Sequence, residues 1–144
     1  MTFSKLKITK LSKSAKIPER HSEGAAGYDI SVLESGTINP KEISEIRTGL
    51  IFSIPKNHLG IIFGRSGLAL KHGLEPINSK ILPESNEELK VKILNNSNVP
   101  FEYTAGMRIA QMVIIKTCEY NIEEVECLES STRGDSGFGS TGLH

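Results

Sequence analysis

Short apolar stretches of alternating character run along the chain, each closed off by Gly, Pro or Asn, and they predict strands. Leu6 and Ile8 alternate with lysines, and Leu89, Val91 and Ile93 face away from Lys90 and Lys92, the pattern of half-buried strands. GLIFSIP at 49–55, LGIIF at 59–63, VPFEY at 99–103 and RIAQMVIIK at 108–116 are rich in Ile, Val and Phe, which suits a sandwich or barrel. LALKH after Gly67 predicts one short helix. Ile122, Val125 and Leu128 recur at threefold spacing, which fits a further helix, while Tyr120, Ile122 and their β-branched neighbours fit a strand equally well. Strand and turn signals recurring about every ten residues favour an all-β fold over α/β. With no internal repeat, the chain divides into a core domain over 1–130 and a flexible glycine-rich arm over 131–144.

Composition narrows the class. A chain of 144 residues, 38% hydrophobic and 24% charged, is of a size that buries ~70% of its unfolded surface, and so needs no metal or disulfide to hold it together. Seventeen basic residues balance seventeen acidic ones, which gives no whole-chain attraction to nucleic acid or to a membrane. The basic run Lys5, Lys7, Lys10, Lys13, Lys16 and Arg20 and the five carboxylates of 119–129 read as solvated faces. Cys118 and Cys127, the only cysteines, are too few for a disulfide framework or a thiol zinc site. The N-terminus lacks the apolar stretch of a signal peptide, and MVII at 112–115 is fenced by Gln111 and Lys116, far short of a membrane span. These features predict a soluble intracellular protein, cytoplasmic or nuclear.

Candidate chemistry sits where glycine clusters meet polar residues. GAAGYDIS at 24–31 leads a Tyr–Asp pair into a strand. FGRSGLALKHG at 63–73 sets Arg65, Ser66 and the Gly67 amide in succession at a turn that opens a helix, a candidate phosphate cradle because both oriented N–H groups and a helix N-terminus favour an anion. AGMRIAQM at 105–112 places Arg108 and Gln111 at the start of an apolar strand, and RGDSGFGSTG at 133–142 combines four glycines with one Phe and three hydroxyls. The four histidines are scattered, which argues against zinc, and His72 reads as packing or capping the turn after the cradle. No His and acid pair supports Ser66 as a nucleophile, and no G-x-x-x-x-G-K-[ST] run supports a P-loop.

Together these four segments resemble the trimeric dUTPase family, over nearly the whole chain from about Lys5 to Gly142. AAGYD at 25–29 is similar to the family's first motif, RSGLA at 65–69 to its second, RIAQ at 108–111 to its fourth and RGDSGFGSTG to its fifth. The resemblance implies a jelly-roll-like distorted β-barrel and a homotrimer with three shared sites. Each site would take motifs one, two and four from one subunit, the third from a neighbour and the fifth from the last subunit's arm. The implied substrate is dUTP, cleaved to dUMP and pyrophosphate. Arg65, Ser66, Gly67 and Gln111 would hold phosphates, Asn78 would stand at the entrance to the uracil pocket, and Phe138 would stack on uracil. Arg133, Ser140 and Thr141, with Gly139 between them and Phe138, would reach the substrate from the arm. Asp29 would hold magnesium through water.

The third motif departs from the family pattern G-x-I-D-x-x-Y-x-G. In EPINSKILPESNEELKVKI at 75–93, Leu82 stands where the family has its Asp and Ser85 where it has its Tyr, and about two residues are missing near Ser79. Asp29 and Asp135, the chain's two aspartates, belong to other motifs, so Glu84 is the nearest carboxylate able to act as the base. Gly64 replaces a frequent proline and Met107 a frequent acid. Two readings follow: a magnesium-dependent dUTP pyrophosphatase with an altered base-recognition hairpin, or a paralogue with impaired catalysis that serves as a nucleotide-binding or regulatory module.

Overall fold

A computed structural model describes residues 5–20, 27–77 and 79–128. The all-β expectation holds, with eleven strands and one helix among these residues: β1 (Lys7–Lys10), β2 (Tyr28–Ser31), β3 (Gly36–Ile38), β4 (Ile43–Arg47), β5 (Leu50–Ser53), β6 (His58–Gly64), α1 (Ser66–His72), β7 (Leu74–Pro76), β8 (Lys80–Ile81), β9 (Lys90–Asn95), β10 (Phe101–Tyr103) and β11 (Arg108–Lys116). All pairings between these strands are antiparallel. They form a four-stranded sheet in the order β2-β11-β6-β8, a three-stranded sheet β4-β9-β7, and the ladders β1-β5 and β10-β3. The arrangement is jelly-roll-like, with separate ladders in place of one closed barrel.

The alternation read from sequence is the alternation of burial. In β9, Val91 and Ile93 are buried while Lys90 and Lys92 face out, and the inward residues meet Ile30, Ile38, Ile46, Leu50, Phe52 and Met112 in a single core. Asn95 is the core's buried amide, and every one of its polar atoms is used. Its Nδ2 donates to Ile38 O at 2.9 Å and Val99 O at 2.8 Å, while Oδ1 accepts from Ser97 N and Oγ. A buried amide satisfied on all sides fixes the β9–β10 connection without the cost of orphaned polar groups.

The chain from 117 to 128 forms neither the helix nor the strand expected from Ile122, Val125 and Leu128. Tyr120 and Ile122 are 83% and 98% exposed. Threefold spacing yields a helix only when a facing surface receives the apolar stripe, and an isolated segment shorter than ~12–15 residues is marginal without one. No helix among the described residues is long and apolar enough to cross a membrane. The arm over 131–144 lies outside the described residues.

Candidate active site

The second-motif turn forms as its residues require. Arg65 is extended (φ −96°, ψ 130°) and its carbonyl accepts the first helical bonds, from Leu68 N and Ala69 N at 3.1 Å each. Ser66 and Gly67 N–H therefore lie at the open end of α1, where a helix has no internal acceptor for them. Gly67 has open space on its side-chain side. Helix α1 closes on Gly73 in the left-handed region, with Lys71 and His72 in its last turn. The His72 ring packs against Phe101 with centroids 4.9 Å apart, in keeping with the packing role expected of it.

Gln111 reaches the same place from β11. A depression of about 480 Å³ is lined by Gly64, Arg65, Ser66, Gly67, Leu68, Lys71, His72 and Gln111. Two cations and no carboxylate line it, an environment that attracts anions. Sequence reasoning supplied Arg65, Ser66, Gly67 and Gln111 but missed Lys71, which sits one helical turn beyond Gly67 on the same short helix.

The register of β11 explains the RIAQ sequence. Arg108 pairs with Ser31, Ala110 with Ile30 and Gln111 with Asp29, so the ladder skips one residue between Arg108 and Ala110. In a regular strand, residues three apart point to opposite faces. The bulge turns Ile109 and Ala110 inward in succession, at 1% and 0% exposure, and brings Arg108 and Gln111 onto the face of Asp29 and Ser31. Arg108 then pairs with Asp29, Nη1 to Oδ2 at 3.4 Å, and its carbonyl accepts Arg65 Nη1 at 3.2 Å. First, second and fourth motifs are thus tied through Arg108, whose linking part the sequence reading did not assign. Gly27 of the first motif lies next to Gln111, since a Cβ there would stand 3.4 Å from Gln111 Cβ.

Asp29 is buried at 7% exposure and lines a second depression of about 520 Å³ with Lys16, Glu19, Arg20, Ser31 and Arg108. Among the described residues no group of three or more His, Cys, Asp or Glu gathers as a metal cage. Two carboxylates, Asp29 and Glu19, among the cations Lys16, Arg20 and Arg108 are too few for a cage and suit an ion that keeps its waters and takes its other ligands from substrate phosphates, which is magnesium's habit. The residues fit that ion in that mode.

The departures of the third motif also take shape. A Cβ at Gly64 would lie 2.8 Å from Pro76 Cδ, so the place where the family often has proline has no room here for a side chain. Ile81 pairs with Gly60 at the end of a two-residue β8. Leu82 is 52% exposed, and Glu84 sits at φ 62° with its carboxylate 4.0 Å from Lys56 Nζ, both side chains largely in solvent. Around this segment a cavity of about 630 Å³ is lined by residues including Ser79, Ile81, Leu82, Ser85 and Glu88. It shares no lining residue with the cationic depression. Glu84 stands beside Lys56, before the start of β6, whereas Arg65 follows the far end of that seven-residue strand, so within one copy Glu84 is not brought to Arg65 or Ser66. Asn78, Arg133, Phe138, Gly139, Ser140 and Thr141 lie outside the described residues.

Comparison with known proteins gives the family. A deoxyuridine 5'-triphosphate nucleotidohydrolase of Encephalitozoon cuniculi is 44% identical over 143 residues, covering 99% of each chain. The solved dUTPase of Staphylococcus bacteriophage 80alpha with dUPNHPP superposes with a TM-score of 0.83 at 30% identity, covering 98% of this chain and 100% of that one. A dUTPase from phage phi11 of S. aureus, described with a structural Mg(II) ion, gives 0.80 at 27% identity over 88% and 100% of the two chains. The dUTPase family profile matches residues 13–142, and the chain belongs to the dUTPase family.

Proposed function

We propose that the chain hydrolyses dUTP to dUMP and pyrophosphate, and that it does so as a homotrimer. The observation that carries the reading is the gathering of Arg65, Ser66, Gly67 and Gln111 around a cationic, carboxylate-free depression beside the Asp29–Arg108 pair. In this reading Arg65, Ser66 Oγ, the Gly67 amide and Gln111 bind the triphosphate and hold the α-phosphorus in line with a water. The water attacks that phosphorus, the bond to the β-phosphate oxygen breaks, and pyrophosphate leaves. Positioning and charge neutralisation supply most of the catalysis in such transfers. Magnesium, held by Asp29 through water, supplies charge neutralisation on the phosphates when bound. Glu84 takes the proton from the attacking water, and Asn78 and Phe138 hold the base.

A trimer is supported by the place of Glu84 within one copy: it stands beside Lys56 before the start of β6 while Arg65 follows that strand's far end, so a site that uses both needs a neighbour. Light scattering at micromolar concentration is expected to give three times the monomer mass; a monomer would remove the shared-site reading. Arg133, Phe138, Gly139, Ser140 and Thr141 belong to the arm, which in this reading closes over bound substrate. A glycine-rich segment loses chain entropy on ordering, so it orders where ligand contacts offset that cost. Truncation after Ser131 is accordingly expected to weaken dUPNHPP binding or turnover and to leave thermal unfolding of the core unchanged; unchanged binding would dismiss the arm. The exposed free thiols of Cys118 and Cys127 support the reading of the chain as intracellular, cytoplasmic or nuclear.

Nucleotide preference tests the function as a whole. With dUTP, dTTP, dCTP and UTP each supplied with magnesium, dUTP is expected to give the fastest pyrophosphate release, with dUMP formed in equal amount. Release from none of the four would defeat the enzyme reading.

A further inference from the structure

We propose that Glu88 is a positioning residue, whose carboxylate, clasped by the turn between β4 and β5, sets the path of the 82–88 loop and with it the third-motif half of the site. The loop does little to hold itself. Its own bonds, Ser85 N to Leu82 O and Glu87 N to Ser85 Oγ, are both 3.4 Å, at the long limit of hydrogen bonding. The Glu84–Lys56 pair is 4.0 Å apart and exposed on both sides, so it adds little. Such a loop takes its position from its two ends.

The first end is β8, whose Ile81 packs on Gly60 while Ser79 O accepts Ile62 N at 3.0 Å. The second end is Glu88. Only 11% of its side chain is exposed. Oε2 accepts Gly49 N at 2.8 Å, and both oxygens stand 3.2 Å from Arg47 Nε. The receiving turn is rigid. Gly49 is left-handed at φ +72°, and a Cβ there would meet Ala15 Cβ at 3.0 Å and Leu33 Cδ1 at 3.1 Å. Next to it, Thr48 is fully buried and donates to Leu89 O at 2.6 Å, while Leu89 N donates to Leu50 O at 2.8 Å. Leu89 thus fixes where β9 begins, and Glu88, one residue outward, fixes the direction in which the chain leaves it. Glu88 also lines the 630 Å³ cavity with Leu82 and Ser85. Charge-assisted bonds to a rigid amide and a guanidinium are the strong kind, suited to hold a loop that has little else.

The consequence for the enzyme rests on the dUTP hydrolysis proposed above. Glu88→Ala is expected to lower kcat for dUTP by ~10-fold or more, because the released loop carries Glu84, and to change dUPNHPP affinity by less than about threefold, because the phosphate depression is untouched. Glu88→Gln keeps the shape and an acceptor oxygen for Gly49 N, and is expected to recover most of the loss. Hydrogen exchange in the full-length protein supplies a readout independent of turnover. In Glu88→Ala the amides of 82–88 should exchange at least tenfold faster, with those of β6 and β11 unchanged. Wild-type exchange in the variant would overturn the proposal, as would loss of protection throughout β6 and β11, which would make Glu88 a general stability residue. A wild-type protein that releases no pyrophosphate would defeat the functional reading alone, and the exchange experiment would still judge the clasp.

Discussion

Replacing Arg65 with Ala is expected to lower dUTP turnover by ~10²–10³-fold, the cost of removing one preorganised group that meets transition-state charge. The side chain lies in the cationic depression, and its bond to Arg108 O aims it there without burying it deeply. Folding should therefore survive the change: the Arg108 carbonyl exchanges one donor for water, and no core contact is lost. Arg65→Lys is expected to recover only part of the rate, since an ammonium keeps the charge and loses the planar fork. Steady-state pyrophosphate release, with the thermal unfolding midpoint as control, measures both. Turnover within about threefold of wild type in Arg65→Ala would take Arg65 out of the chemistry.

The second large effect concerns the base. Glu84→Gln is expected to depress turnover by ~10²-fold or more and to leave dUPNHPP affinity intact, the signature of a lost general base. Glu84 occupies the left-handed region at φ 62°, a conformation that costs a residue with a side chain ~1–3 kcal/mol and tends to persist at functional positions. Its side chain is 73% exposed, so the carboxylate is open to another molecule. Binding by titration and turnover by pyrophosphate release separate the two terms. A variant as fast as wild type would exclude Glu84 from the role.

Much of the fold was legible because its longer strands carry strong alternation. RIAQMVIIK, GLIFSIP and LKVKI announce strands from Ile, Val and Leu placement alone, and the turn at RSG announces α1. What escaped has identifiable physical causes. Strands β7 and β8 are three and two residues long, and so short a ladder depends on its partners and carries no period of its own. The bulge at Arg108 reverses the facing that alternation assigns, so strand period alone would have placed Arg108 and Gln111 on opposite faces. The motif resemblance named Gln111 yet missed the Arg108 link to Asp29 and Arg65. Gly64 reads in sequence as a lone departure from the family, and only the proximity of Pro76 shows why a side chain does not fit there. Over 117–128 the apolar residues gave a periodic signal that no surface among the described residues receives.

The central claim is that the altered third motif leaves a working pyrophosphatase. Its most direct test is pyrophosphate release by the purified wild-type chain with dUTP and magnesium, run beside binding of dUPNHPP under the same conditions. The account predicts release above the protein-free background, matched by dUMP, together with binding. Nucleotide binding with no release above background would contradict it and make the chain a nucleotide-binding module.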